Sequence, residues 1–83
     1  MEHYLILARS VTYAQRMQLA LSRMGIRSRI FRAPRDLTDR GCSYAVQLAA
    51  EDLPAAAAML RKESLDPGRI FVYHNGAYQE VSL

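Results

Sequence analysis

The hydrophobic period of this chain changes at Ser10. Residues 3–8, "HYLILA", form a continuous apolar run, which fits a strand covered on both faces or placed at the centre of a sheet. From Ser10 the apolar residues recur at helical spacing. Ala14, Met17, Leu21 and Met24 fall on one stripe with Gln15, Gln18 and Ser22 opposite, and Ser10 or Thr12 is placed to cap the start. Gly25 then reads as a helix stop in the left-handed conformation, with Ile26 supplying the hydrophobic contact that closes it. A strand followed at once by an amphipathic helix must bury the helical stripe against a sheet, so the chain is committed to layered α and β structure.

The same alternation continues. Residues 28–33, "SRIFRA", alternate polar and apolar and end at Pro34, which cannot donate to a ladder, so this is an edge strand. Residues 44–49, "YAVQLA", form a third strand after an irregular stretch. Asp52 and Pro54 open a second helix, in which Leu53, Ala56, Ala57 and Leu60 make a narrow stripe of mostly small side chains that lets the helix lie close to a sheet. "DPG" at 66–68 is a turn, "RIFVYH" at 69–74 a fourth strand, and Asn75-Gly76 the strongest kind of hairpin signal, folding "YQEVSL" back as a fifth strand.

Strand, helix, strand, strand, helix, strand is the succession of two interleaved right-handed strand-helix-strand units. It predicts an α/β (α+β) ferredoxin-like βαββαβ sandwich over residues 1–83 as one domain, with antiparallel sheet order 4-1-3-2, both helices on one face and a C-terminal hairpin strand. An 83-residue chain suffices for one such core and no internal boundary is expected. With 51% apolar and 23% charged residues the composition is that of a soluble globular protein, and no apolar run approaches the roughly 20 residues that span a bilayer. The opening "MEHYLIL" places an acid before a very short apolar run and lacks a small-residue cleavage site, so no secretory leader is expected and the expected location is cytoplasmic. One cysteine cannot form an internal disulfide, and a reducing compartment keeps it a thiol.

Charge is unevenly distributed. Six arginines stand between Arg23 and Arg40 against Asp36 and Asp39, leaving that small basic stretch at +4 and the rest of the chain at −1. Arginines on an edge strand keep it soluble and unpaired. The competing reading of the same arginines is a local anion site.

The expected topology gives Cys42 a place. The first strand ends near Arg9, so the first helix starts at that end of the sheet, and the loop from Pro34 to Cys42 lies at the same end. Cys42 then faces a helix start, whose unpaired N–H groups lower a thiol's pKa and bind anions. Arg9, Arg35, Arg40 and Arg69 belong to this end; Gly41 permits close backbone approach and Ser43 offers a hydroxyl. The thiol site accordingly comprises Cys42 with Arg35, Arg40, Gly41, Ser43, Ser10 and Pro34. The competing reading is a packed cysteine, since free cysteine is among the most buried residue types. A packing cysteine sits more naturally inside the apolar run than two residues before it.

Other chemistry is poorly supported. His3 and His74 fall at neighbouring strand ends at the far end of the sheet, about five strand residues or roughly 17 Å from Cys42, which separates them from any zinc site or dyad with the thiol. No serine-histidine-acid set, phosphate-cradling glycine loop or zinc spacing is present, and no metal or cofactor is called for. Sheets that bind RNA stack bases on paired aromatics of the central strands, whereas the third strand here continues from Tyr44 as Ala45, Val46, Gln47 and Leu48, which argues against nucleic acid.

"YLILARS" at 4–10, Ala14 in the first helix, "GI" at 25–26, "PR" at 34–35 and a cysteine followed by Ala45-Val46 resemble the selenium/sulfur carrier protein-like family over about residues 3–73. Members of that family typically have glycine after the cysteine; here Ser43 follows and Gly41 precedes. The resemblance implies a carrier rather than an enzyme, in which Cys42 holds sulfur or selenium as a persulfide or selenosulfide, Pro34 and Arg35 shape the pocket, and a protein donor and a protein acceptor are the partners. The alternative from the residues alone is a protein-binding adaptor or regulatory module that uses the basic edge strand, by strand addition or as a homodimer, with Cys42 structural.

Overall fold

The computed structural model describes residues 3–33, 44–65 and 69–81. Pro34, Arg35, Arg40, Gly41, Cys42, Ser43, the turn at 66–68 and residues 82–83 of the expected fifth strand lie outside the described residues. The elements in chain order are β1 (His3–Ala8), α1 (Val11–Ser22), β2 (Arg29–Arg32), β3 (Tyr44–Ala49), a 3-10 turn (Ala50–Asp52), α2 (Leu53–Lys62), β4 (Ile70–His74) and β5 (Ala77–Val81).

The strands form one sheet in which every ladder is antiparallel, in the order β2-β3-β1-β4-β5. The protein is a mixed α+β domain with a five-stranded antiparallel sheet and two helices. The sheet is therefore five-stranded and not a four-stranded 4-1-3-2 sheet; read from its other edge it runs β5-β4-β1-β3-β2. β5 is a full member of it and takes over the outer edge beside β4, because Asn75 at φ 52° and Gly76 at φ 78° close a tight two-residue turn and His74 pairs directly with Ala77.

Both helices cover one face. Ala14, Met17, Ala20 and Leu21 of α1 and Leu53, Ala56 and Leu60 of α2 pack with Ile6 and Ala8 of β1, Val46 and Leu48 of β3 and Ile70 of β4. Each large side chain taken fully out of water here is worth about 1.5–3 kcal/mol. Because strand side chains alternate, Leu5 and Leu7 point to the other face, where Leu5, Ala33, Ala45 and Phe71 form a second, smaller apolar cluster. β1 is thus central and apolar on both faces, as its unbroken apolar run requires.

The helix ends are set locally. Ser10 accepts a hydrogen bond from the Tyr13 N–H at 3.1 Å and caps α1. At the other end Ile26 N–H reaches Leu21 O at 3.0 Å and Gly25 N–H reaches Ser22 O at 2.9 Å, with Gly25 at φ 76°. This double bond pattern ends α1 at Ser22 and removes Met24 from the buried stripe where its spacing placed it; Met24 is 45% exposed and Ala20 takes its place in the core. α2 ends in the same way with Ser64 at φ 59° and Leu65 N–H on Leu60 O at 2.7 Å. Asp52 does not cap α2 with its side chain, since the chain is already helical through the 3-10 turn that precedes it.

Candidate functional site

The end of the sheet that carries Ser10 is built by four elements. Ala8, the last residue of β1, pairs with Tyr44, the first of β3, and Tyr44 pairs in turn with Arg32, the last of β2. On the other side of β1, the Leu7 N–H donates to the Arg69 carbonyl at 2.9 Å just before β4 begins. The chain leaves the described structure after Ala33 and re-enters at Tyr44, both at this end.

The start of α1 opens here. Of its first N–H groups, that of Tyr13 is taken by Ser10 Oγ and that of Ala14 by the Ser10 carbonyl at 3.0 Å. The Val11 and Thr12 N–H groups have no hydrogen-bond partner among the described residues. Two adjacent donors at the positive end of a helix dipole are a cradle for an anion.

The arginines at this end do not act alike. Arg9 lies over the Tyr13 ring, 4.4 Å from its centroid, which holds the guanidinium beside the helix start. Arg69, expected to add to the anion-binding charge, is instead engaged: its Nε and an Nη donate to Glu80 Oε2 and Oε1 at 3.1 and 3.0 Å, and it lies 5.1 Å from the Phe71 ring centroid. The hydrogen bonds from Arg69 hold the Glu80 carboxyl below the ordinary carboxylate range. Register explains the pairing, because Glu80 stands opposite Phe71 and Arg69 reaches it diagonally across the β4–β5 ladder. Of the expected site residues, the structure places Ser10 at this end; Pro34, Arg35, Arg40, Gly41, Cys42 and Ser43 lie outside the described residues.

At the opposite sheet end His3 stacks on Tyr73, with ring centroids 5.0 Å apart and planes at 18°, and Tyr73 meets Tyr78 at 4.9 Å. Sequence reasoning looked for stacked aromatics on β3 and missed this set on β1, β4 and β5. The signal was available only as the Asn-Gly hairpin, which makes Tyr73 and Tyr78 cross-strand partners. Among the described residues no group of three or more His, Cys, Asp and Glu could hold a metal ion, and no helix is long and apolar enough to cross a membrane.

These features define a small α+β domain whose sheet presents helix-start donors and exposed arginines at one end. The chain belongs to the family described as "Putative Se/S carrier protein-like", whose model matches residues 3–72. No curated protein and no solved structure matches it.

Proposed function

We propose that the protein is a carrier that holds sulfur or selenium on Cys42 between a donor protein and an acceptor protein. The observation that carries this reading is membership of the carrier-like family over residues 3–72. The Ala8–Tyr44 pairing supports it: Cys42 is two residues before Tyr44 in the chain, a reach of at most about 7 Å, and the Val11 and Thr12 donors follow Ala8 closely.

The Cys42 thiolate attacks the terminal sulfur of a donor persulfide. The donor's S–S bond breaks, its thiolate leaves with the electron pair, and Cys42 now bears the persulfide. Transfer to an acceptor thiolate reverses the step and restores Cys42. No oxidant is consumed, because the sulfane sulfur keeps its oxidation level. Selenium follows the same path as a selenosulfide. The held group is anionic, so the helix-start donors, Arg35 and Arg40 stabilise it, while Pro34, Gly41 and Ser43 shape the loop around it.

Incubation with a cysteine desulfurase and cysteine, followed by intact mass, should add one sulfur to the wild type and none to Cys42→Ser. An unmodified wild type beside a demonstrably active desulfurase overturns the reading.

A second reading is favoured by the open side of β2, which among the described residues pairs only with β3 and carries exposed Arg29 and Arg32. Such an edge accepts an extended acidic segment of another protein as an added strand, with Cys42 packed. Thiol reactivity separates the two. In the adaptor case Cys42 ignores a thiol reagent at neutral pH and reacts only after denaturant is added.

A further inference from the structure

We propose that the protein forms a two-fold dimer through a groove at the sheet end opposite Ser10, in which the charged walls of one copy pair with those of the other. The proposal is independent of the carrier reading. A groove of about 1360 Å³ opens where the second half of α1, the segment before β2, the end of β3 and the 3-10 turn converge. Arg27 and Arg29 line its β2 side, and Glu51 and Asp52 line the side of the turn. None of these four forms an ion pair among the described residues. The groove therefore has one cationic and one anionic wall, neither of them in an ion pair among the described residues.

One further feature indicates an occupant: Leu19 of α1 lines the groove and is 56% exposed, well beyond what its apolar side chain favours. The groove is wider than the ~300–1,000 Å³ of sites that enclose a small ligand, so a protein surface fits it better.

The charge pattern selects a second copy. A two-fold interface presents one patch to itself, so a patch of a single sign repels its image. A patch with opposite signs on its two walls is complementary to itself after rotation. Arg27 and Arg29 of each copy then meet Glu51 and Asp52 of the other, and Leu19 of each is buried between them.

Sedimentation velocity across a concentration series tests this on the full chain. The wild type should show a dimer that weakens as salt is raised. Arg27→Glu with Arg29→Glu, and separately Glu51→Arg with Asp52→Arg, should each raise the dimer dissociation constant at least about tenfold, since like charges then face each other. An equimolar mixture of the two variants should restore the dimer, because every cation meets an anion again; that rescue also shows that both variants are folded. Leu19→Ala should weaken the dimer without changing its salt dependence. A wild type that is monomeric at every attainable concentration, or variants that do not rescue one another, overturns the proposal.

Discussion

Ala8 and Tyr44 face each other on the last rung of the β1–β3 ladder, which sets the chain just after Cys42 beside the chain that starts α1. Around this pair lie Ser10 with its Tyr13 hydrogen bond, the Val11 and Thr12 donors, and Arg9 over the Tyr13 ring.

On the carrier reading, Cys42 titrates below the ordinary thiol value of about 8.5, because helix-start donors and arginines favour the thiolate. The pH dependence of the alkylation rate, followed by mass, reads this directly. Arg35→Ala and Arg40→Ala should each move the profile to higher pH, one more than the other, and both effects should shrink in salt. A wild-type profile at or above the ordinary value removes the anion-site account and puts the adaptor reading ahead.

The Arg69–Glu80 pair makes stability pH-dependent in acid. The Glu80 carboxyl titrates below its ordinary 4.5 because Arg69 donates hydrogen bonds to it. A depressed acid contributes stability above the unfolded-state value and loses it as pH falls through the folded one. Glu80→Gln should therefore lower the denaturant midpoint at neutral pH and match the wild type well below pH 4.5. Both groups are about half exposed, so the gap at neutral pH should be small and salt-sensitive. A gap of constant size at all pH values would contradict this.

The two helix ends predict substitutions of opposite sign. Gly25 has φ 76° with open space around its Cα, so a Cβ there meets no neighbour and costs only the left-handed backbone penalty. Gly25→Ala should destabilise by about 1–2 kcal/mol, a fall in Tm of roughly 4–8 °C per kcal/mol for a domain of this size. Ser64 already bears that penalty at φ 59°. Ser64→Gly should raise Tm, by less than Gly25→Ala lowers it, because glycine also gains freedom in the unfolded chain. Thermal unfolding of both variants checks the pair, and a loss of stability in Ser64→Gly would refute it.

Leu60 is fully buried where α2 meets the sheet. Leu60→Ala should cost about 2–5 kcal/mol by leaving a cavity that the neighbouring alanines of α2 are too short to fill. Ala58, on the exposed side of the same helix, serves as the control: Ala58→Gly should cost about 1 kcal/mol, its helix propensity alone. Urea unfolding of the two variants separates packing from propensity, and equal costs would count against the assignment of Leu60 to the core.

Sequence patterning by itself determined the elements and their local ends. Ser10 as cap, Gly25 as left-handed stop and the Asn75-Gly76 turn rest on interactions between residues at most five positions apart, and these act in any context, while the α2 stripe of Leu53, Ala56, Ala57 and Leu60 is legible from its helical period. The apolar run of β1 likewise announced a central strand. Met24 escaped this reading because spacing continues past a helix stop while the helix does not. Only the tertiary structure decided that Arg69 is spent on Glu80 and that His3 stacks on Tyr73. The meeting of Arg27, Arg29, Glu51 and Asp52 around one groove belongs with these. Each joins segments brought side by side by strand register or by the packing of α1 on the sheet, and residues so far apart along the chain leave no periodic trace of their meeting.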